Sequence, residues 1–161
     1  MSHDQRNGLQ KLYSGARQGG YGFLASNVTH FDVLVGLLQG SARVDSDLVV
    51  QLSREEAAYF GAGEPIAGLR VFDACCSALA KRFDIGVFCN INHVDSLDES
   101  EFLDACLTSA IPASVMIDAS AEPFDRNVEL AARTVKRAND DLLVEAELGR
   151  ITGVEGNYRN R

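Results

Sequence analysis

Short apolar runs alternate along the chain with longer stretches in which apolar residues recur every three or four positions. Tyr21–Asn27 is a short run entered from Gly19-Gly20, and Asp32–Leu38 follows with helical spacing of Phe31, Leu34, Val35 and Leu38. Leu48–Leu52 predicts a second strand, and Pro65–Phe83 predicts the helix after it, with Leu69, Phe72, Ala80 and Phe83 loosely on one side. Ile85–Ile91 is a third strand, Ser100–Leu107 a short helix and Ser114–Ile117 a fourth strand. Pro123–Asn139 carries Val128, Ala131, Ala132 and Val135 as an amphipathic helix, and Leu142–Leu148 is the fifth strand. Strand and helix in repeated alternation imply crossover connections and a parallel sheet covered by helices. No linker, repeat or low-complexity segment divides the chain, so one domain over 1–161 is expected, with residues 1–8 loose and 149–161 a mobile loop and tail.

Each predicted strand ends on polar groups: Ser26 and Asn27, then Ser53, then Asn90, Asn92 and His93, then Asp118 and Ser120, then Glu147. Polar groups collected at the C-terminal ends of parallel strands form the ligand sites of α/β barrels and doubly wound sheets. Any one of them also reads as a helix cap or turn residue, which is the preferred reading of Ser120 and Asp125. The segment from Leu142 to Glu155 is the most chemical of these. Carboxylates at the end of an apolar strand are costly to bury unless they meet a metal, a proton or a partner cation.

Composition narrows the classes. With 161 residues, 46% hydrophobic and 24% charged, the chain can bury one sizeable core. A formal charge of -8 and a pI near 4.8 argue against nucleic-acid and anionic-membrane surfaces. Only Lys11, Lys81 and Lys136 are lysines, a balance suited to a high-salt cytoplasm. The N-terminus has no apolar signal-peptide core, and no apolar run approaches the ~18 residues of a membrane span, so a cytoplasmic protein is expected. Cys75, Cys76, Cys89 and Cys106 lack C-x-x-C spacing and read as reduced core or half-buried thiols. Gly61-Ala62-Gly63 does not have the placement of a dinucleotide-binding turn.

The strings Gly22-Phe23-Leu24-Ala25-Ser26-Asn27, Leu48-Val49-Val50-Gln51-Leu52-Ser53, Asn90-Ile91-Asn92-His93, Met116 to Phe124 (MIDASAEPF) and Glu145-Ala146-Glu147-Leu148-Gly149 carry a resemblance. In this order the chain resembles the class II, metal-dependent fructose-bisphosphate aldolases, archaeal and halophile-type members above all, from about Leu9 to Glu155. The resemblance implies an α/β fold, an incomplete (β/α)₈ TIM barrel of about five parallel strands with covering helices. It implies metal-dependent, reversible cleavage of fructose 1,6-bisphosphate to dihydroxyacetone phosphate and glyceraldehyde 3-phosphate, with zinc or another divalent metal as Lewis acid and a separate proton carrier. On matching positions, His93 and Glu147 resemble metal ligands, and Glu155 resembles the mobile general base. Asn27, Ser53 and Asp118 resemble substrate-contacting groups, and Asp118 and Asp95 are candidate further oxygen ligands.

The pattern also departs from the family. Asn92 stands where the family has an aspartate that exchanges a proton, and an amide cannot do so near neutral pH. Ala121 stands where a histidine is usual. Two further ligand histidines and the phosphate-binding loops come from later strands in the family, and the only other histidines here are His3 and His30. The expectation is therefore the N-terminal portion of such an enzyme, incomplete alone, working as a homo-oligomer or with a C-terminal half on a ketose bisphosphate. The alternative is a non-catalytic, oligomeric protein that binds metal or phosphosugar.

Overall fold

The computed structural model of the chain describes residues 2–95, 101–109, 111–138 and 142–149. Five strands, β1 (Leu24–Asn27), β2 (Leu48–Leu52), β3 (Val87–Asp95), β4 (Ser114–Asp118) and β5 (Leu143–Ala146), form one parallel sheet in sequential order. The helices are α1 (Ser2–Gly19), α2 (Phe31–Arg43), α3 (Arg54–Phe60), α4 (Pro65–Phe83), α5 (Glu101–Thr108) and α6 (Phe124–Arg137). A doubly wound sheet reverses its strand order at a switch point and carries helices on both faces. Here the order never reverses, which is the winding of a barrel wall.

Alternation along the strands sorts the two faces. Leu48, Val50, Leu52, Cys89, Ile91, Val115 and Ile117 join one apolar core with Leu34 and Leu38 of α2, Phe72 of α4 and Leu103 and Leu107 of α5. The opposite face begins with a small apolar patch, where Leu9 and Leu12 of α1 meet Val49, Phe88 and Ala113 near the N-terminal ends of the strands. Gly8 permits that approach, since a Cβ there would lie 2.6 Å from a Phe88 ring carbon. Above the patch the same face turns polar: Gln51 donates to Asn90, and Asn90 donates to Ser114 and Glu145.

The class expected from the strand pattern is the class observed, and β2 and α4 have the expected boundaries. Two helices go beyond the pattern. α1 starts at Ser2 and runs through residues expected to be loose, and α3 occupies a stretch assigned to no element. β3 starts at Val87, two residues into the expected run Ile85–Ile91, and continues past Ile91 through buried Asn92 to Asp95. The packed side of α6 differs as well: it buries Asn127, Leu130 and Thr134 and leaves Val128 and Val135 at 50% and 58% exposure. The four cysteines are free, three of them buried. Gly61-Ala62-Gly63 turns between α3 and α4, away from any strand-to-helix junction. Among the described residues, no helix is long and apolar enough to cross a membrane.

Candidate metal centre

The polar strand ends converge through a defect in β3. Ile91 pairs with Val115 and Val94 with Ile117, so Asn92 and His93 occupy a stretch where β4 has Met116 alone. His93 takes a left-handed conformation with φ 49°, which costs a non-glycine residue ~1–3 kcal/mol. In a regular strand Asn92 and His93 would point to opposite faces. The bulge lets both meet partners on the polar face, as bulges beside functional sites do.

His93 Nδ1 lies 3.4 Å from Asp118 Oδ2 and 3.6 Å from Glu147 Oε2. One ligand atom from each of the three residues lies within 4.8 Å of the others. Two ligands ~2.1 Å from a tetrahedral ion stand about 3.4 Å apart, so this nitrogen and two oxygens have the spacing and chemistry of a divalent-metal site. Asp95 pairs with Asp118 along the backbone but is not in the group, and His30 lies elsewhere, edge-on to Tyr59 at 5.5 Å.

The Asp118 carboxylate is held from behind. Burial opposes ionisation of Asp118, but the Ser120 hydroxyl and N–H, donating to Oδ1 at 2.6 and 3.0 Å, and then His93 outweigh it and hold the carboxyl below its ordinary value. Ser120 is thus a turn residue, as its sequence reading preferred, and its turn serves Asp118. Asn127 of α6 donates to the carbonyl oxygens of Ala119 and Glu147 at 3.0 and 2.8 Å, tying the β4 and β5 ends together beneath the group. Asn127 went unseen in the sequence, where its only signal is an amide on the buried face of a helix. Glu145 accepts from Asn90 at 3.1 Å and from Tyr13 at 3.4 Å, a supporting position. Burial first, and then Glu145, pushes the Tyr13 hydroxyl above its ordinary pKa.

The expected substrate-side residues form a second network. Ser53 is the N-cap of α3: its hydroxyl accepts the Glu56 N–H, and Glu56 Oε2 accepts the Ser53 N–H at 2.7 Å. The same Oε2 accepts Asn27 Nδ2 at 2.9 Å, and Asn27 Oδ1 accepts Asn92 Nδ2 at 3.2 Å. Glu56 was also missed, although Ser-x-x-Glu at 53–56 is a capping-box signal. Glu155 lies outside the described residues.

The family model for "Fructose-bisphosphate aldolase class-II" matches residues 7–161. The chain is 30% identical to the fructose-bisphosphate aldolase of Giardia intestinalis, covering 94% of this chain and 44% of that protein. It is 31% identical to the one from Helicobacter pylori, over 88% and 43%. Among solved structures it resembles the fructose-bisphosphate aldolase of Campylobacter jejuni with a TM-score of 0.81 at 21% identity, covering 93% of this chain and 48% of that one. The YdjI aldolase of Escherichia coli K12 gives 0.62 at 19%, over 80% and 44%. The chain spans less than half the length of the curated relatives it matches.

Proposed function

This chain belongs to the class II fructose-bisphosphate aldolase family, and on that premise we propose that its strand ends supply part of an aldolase site acting on fructose 1,6-bisphosphate or a close ketose bisphosphate. The observation that carries the reading is the convergence of His93, Asp118 and Glu147 on one small volume. We assign these three to a divalent metal; the family resemblance puts zinc first, and two carboxylates beside one imidazole shift the preference toward a harder ion. Bound there, the ion supplies Lewis-acid polarisation of a ketose carbonyl.

The protein's own groups divide the remaining work. His93, fixed by the bulge, serves as the nitrogen ligand, its Nδ1 set against Asp118 and Glu147. Asn92 holds a reacting oxygen by hydrogen bonding without exchanging a proton. Asn27 and Ser53 line the substrate side, and Glu155, after Gly153, takes the proton from the triose phosphate in the general-base role. The remaining ligands and phosphate-binding groups come from a further barrel half or a second copy, seated against the strand edges. The acidic, lysine-poor surface supports a cytoplasmic, halophile-type member.

Release of triose phosphate from fructose 1,6-bisphosphate, measured with zinc and with EDTA, with and without a separately supplied C-terminal half of a relative, tests this. EDTA-sensitive release that is lost in His93→Asn, a change that keeps a residue tolerant of left-handed backbone, is the expected result. A second reading, a non-catalytic protein that binds metal or phosphosugar, is favoured by Asn92. It predicts zinc binding by calorimetry with no release under any of these conditions.

A further inference from the structure

The Asn27 and Asn92 amides are directional, and Glu56 sets the direction. A carboxylate only accepts, and Glu56 Oε2 already accepts the Ser53 N–H, so the Asn27 atom against it must be Nδ2. Asn27 Oδ1 is then the atom facing Asn92, and the Asn92 atom meeting it must be Nδ2. Asn92 is 7% exposed, so the cost of reversing its amide is that of a buried mismatch.

We propose that Glu56 is a positioning residue that fixes the Asn92 amide through Asn27, making Glu at 56 and Asn at 92 a matched pair. In the wild-type direction Asn92 turns its carbonyl oxygen away from Asn27. A carboxylate at 92 would face Asn27 Oδ1, acceptor against acceptor. Turning the Asn27 amide to greet it would set Oδ1 against Glu56, moving the mismatch without removing it. The carboxylate that the family carries before its first ligand histidine therefore cannot be restored at 92 alone. Glutamine at 56 does not remove the block, because the single atom Oε2 meets both the Ser53 N–H and Asn27 and cannot be an acceptor for one and a donor for the other. Alanine at 56 does, since it leaves the Asn27 amide free to turn Nδ2 toward a carboxylate at 92, at the cost of half the α3 capping box.

The test is a cycle of Asn92→Asp, Glu56→Ala and the double variant on the full chain, without added metal. Urea unfolding near neutral pH should show Asn92→Asp raising the unfolding equilibrium constant about tenfold in the wild-type background and by clearly less in the Glu56→Ala background. Side-chain amide NMR supplies a reading that packing alone would not move. The Nδ2 protons of Asn27 and Asn92 are slow to exchange in wild type, and those of Asn27 become fast in Glu56→Ala. An Asn92→Asp penalty of the same size in both backgrounds, or Asn27 protons indifferent to Glu56→Ala, would overturn the pairing. If Asn92→Asp does not fold, the amide comparison between wild type and Glu56→Ala still decides. Neither readout depends on turnover, so the relay and the aldolase reading fail separately.

Discussion

Asp118 shows how little of a site need come from its ligand atoms. Its carboxylate is about a third exposed, and burial alone would favour the protonated form. Ser120 reverses the balance with two donations to Oδ1, leaving Oδ2 toward His93. Groups that hold metal ligands from behind are worth about 10–100-fold in metal affinity. Ser120→Ala, keeping one of the two donors, should weaken zinc binding by about tenfold in a chelator competition, and unchanged affinity would dismiss the supporting role. The pH dependence has a definite sign. Because Asp118 is lowered in the folded state, its contribution to stability is present above its unfolded value near 3.8 and is lost as pH falls through the lower folded value. With EDTA present, Ser120→Ala should be less stable than wild type at neutral pH, and that part of the gap should close at acid pH below both values. These roles were half legible. His93 and Glu147 stand at apolar strand ends and carry a family pattern, whereas Ser120 read as a turn and Asn127 as nothing, because sequence order does not reveal what a turn or a helix face will touch.

The alternation of strands and helices is legible, β2 and α4 to the residue, whereas α1, the β3 bulge and the packed face of α6 are not. Leu48–Leu52 is apolar but for Gln51, and Pro65 starts α4 where a proline costs no hydrogen bond. α1 escaped because only Leu9, Leu12 and Ala16 are its buried apolar residues, while Tyr13 stays 44% exposed. No residue pattern signals the β3 bulge, and without it His93 would be assigned to the wrong face. α6 was turned about its axis in the reading, because Asn127 and Thr134 satisfy themselves on carbonyl oxygens and so can be buried. Leu130→Ala should then cost about 2–5 kcal/mol in chemical denaturation. Val128→Ala should cost less than about 0.5 kcal/mol, the reverse of what an apolar stripe through Val128 implies. α4 gives a chemical check on the same logic. Burial first, and then Asp73, pushes the Cys76 thiol up to about 12, and burial first raises Cys89 well above its ordinary value too, while Cys75 is half-buried. A thiol reagent at neutral pH should label Cys75 in the native protein and reach Cys76, Cys89 and Cys106 only on unfolding.

For the whole molecule, the decisive feature is that a barrel wall has edges. Among the described residues, β1 and β5 are each paired on one side only. The β1 side exposes Leu24, Phe31 and Val33, and the β5 side exposes Phe124, Val128, Val135 and Leu148. Unpaired parallel edges flanked by apolar side chains favour association. Against this stands a net charge of -8, which repels like copies and keeps them apart when salt is low. The two terms respond differently to ionic strength. Raising salt toward ~1 M shortens the screening length to about 3 Å, which removes the repulsion while leaving apolar contact intact. Sedimentation at fixed protein concentration should therefore show a shift from smaller to larger species as salt rises. Val128→Lys combined with Val135→Lys should suppress that shift with little change in Tm, since both side chains are more exposed than buried. A wild-type chain that remains one species from low to high salt would show that charge, rather than exposed apolar surface, governs its assembly.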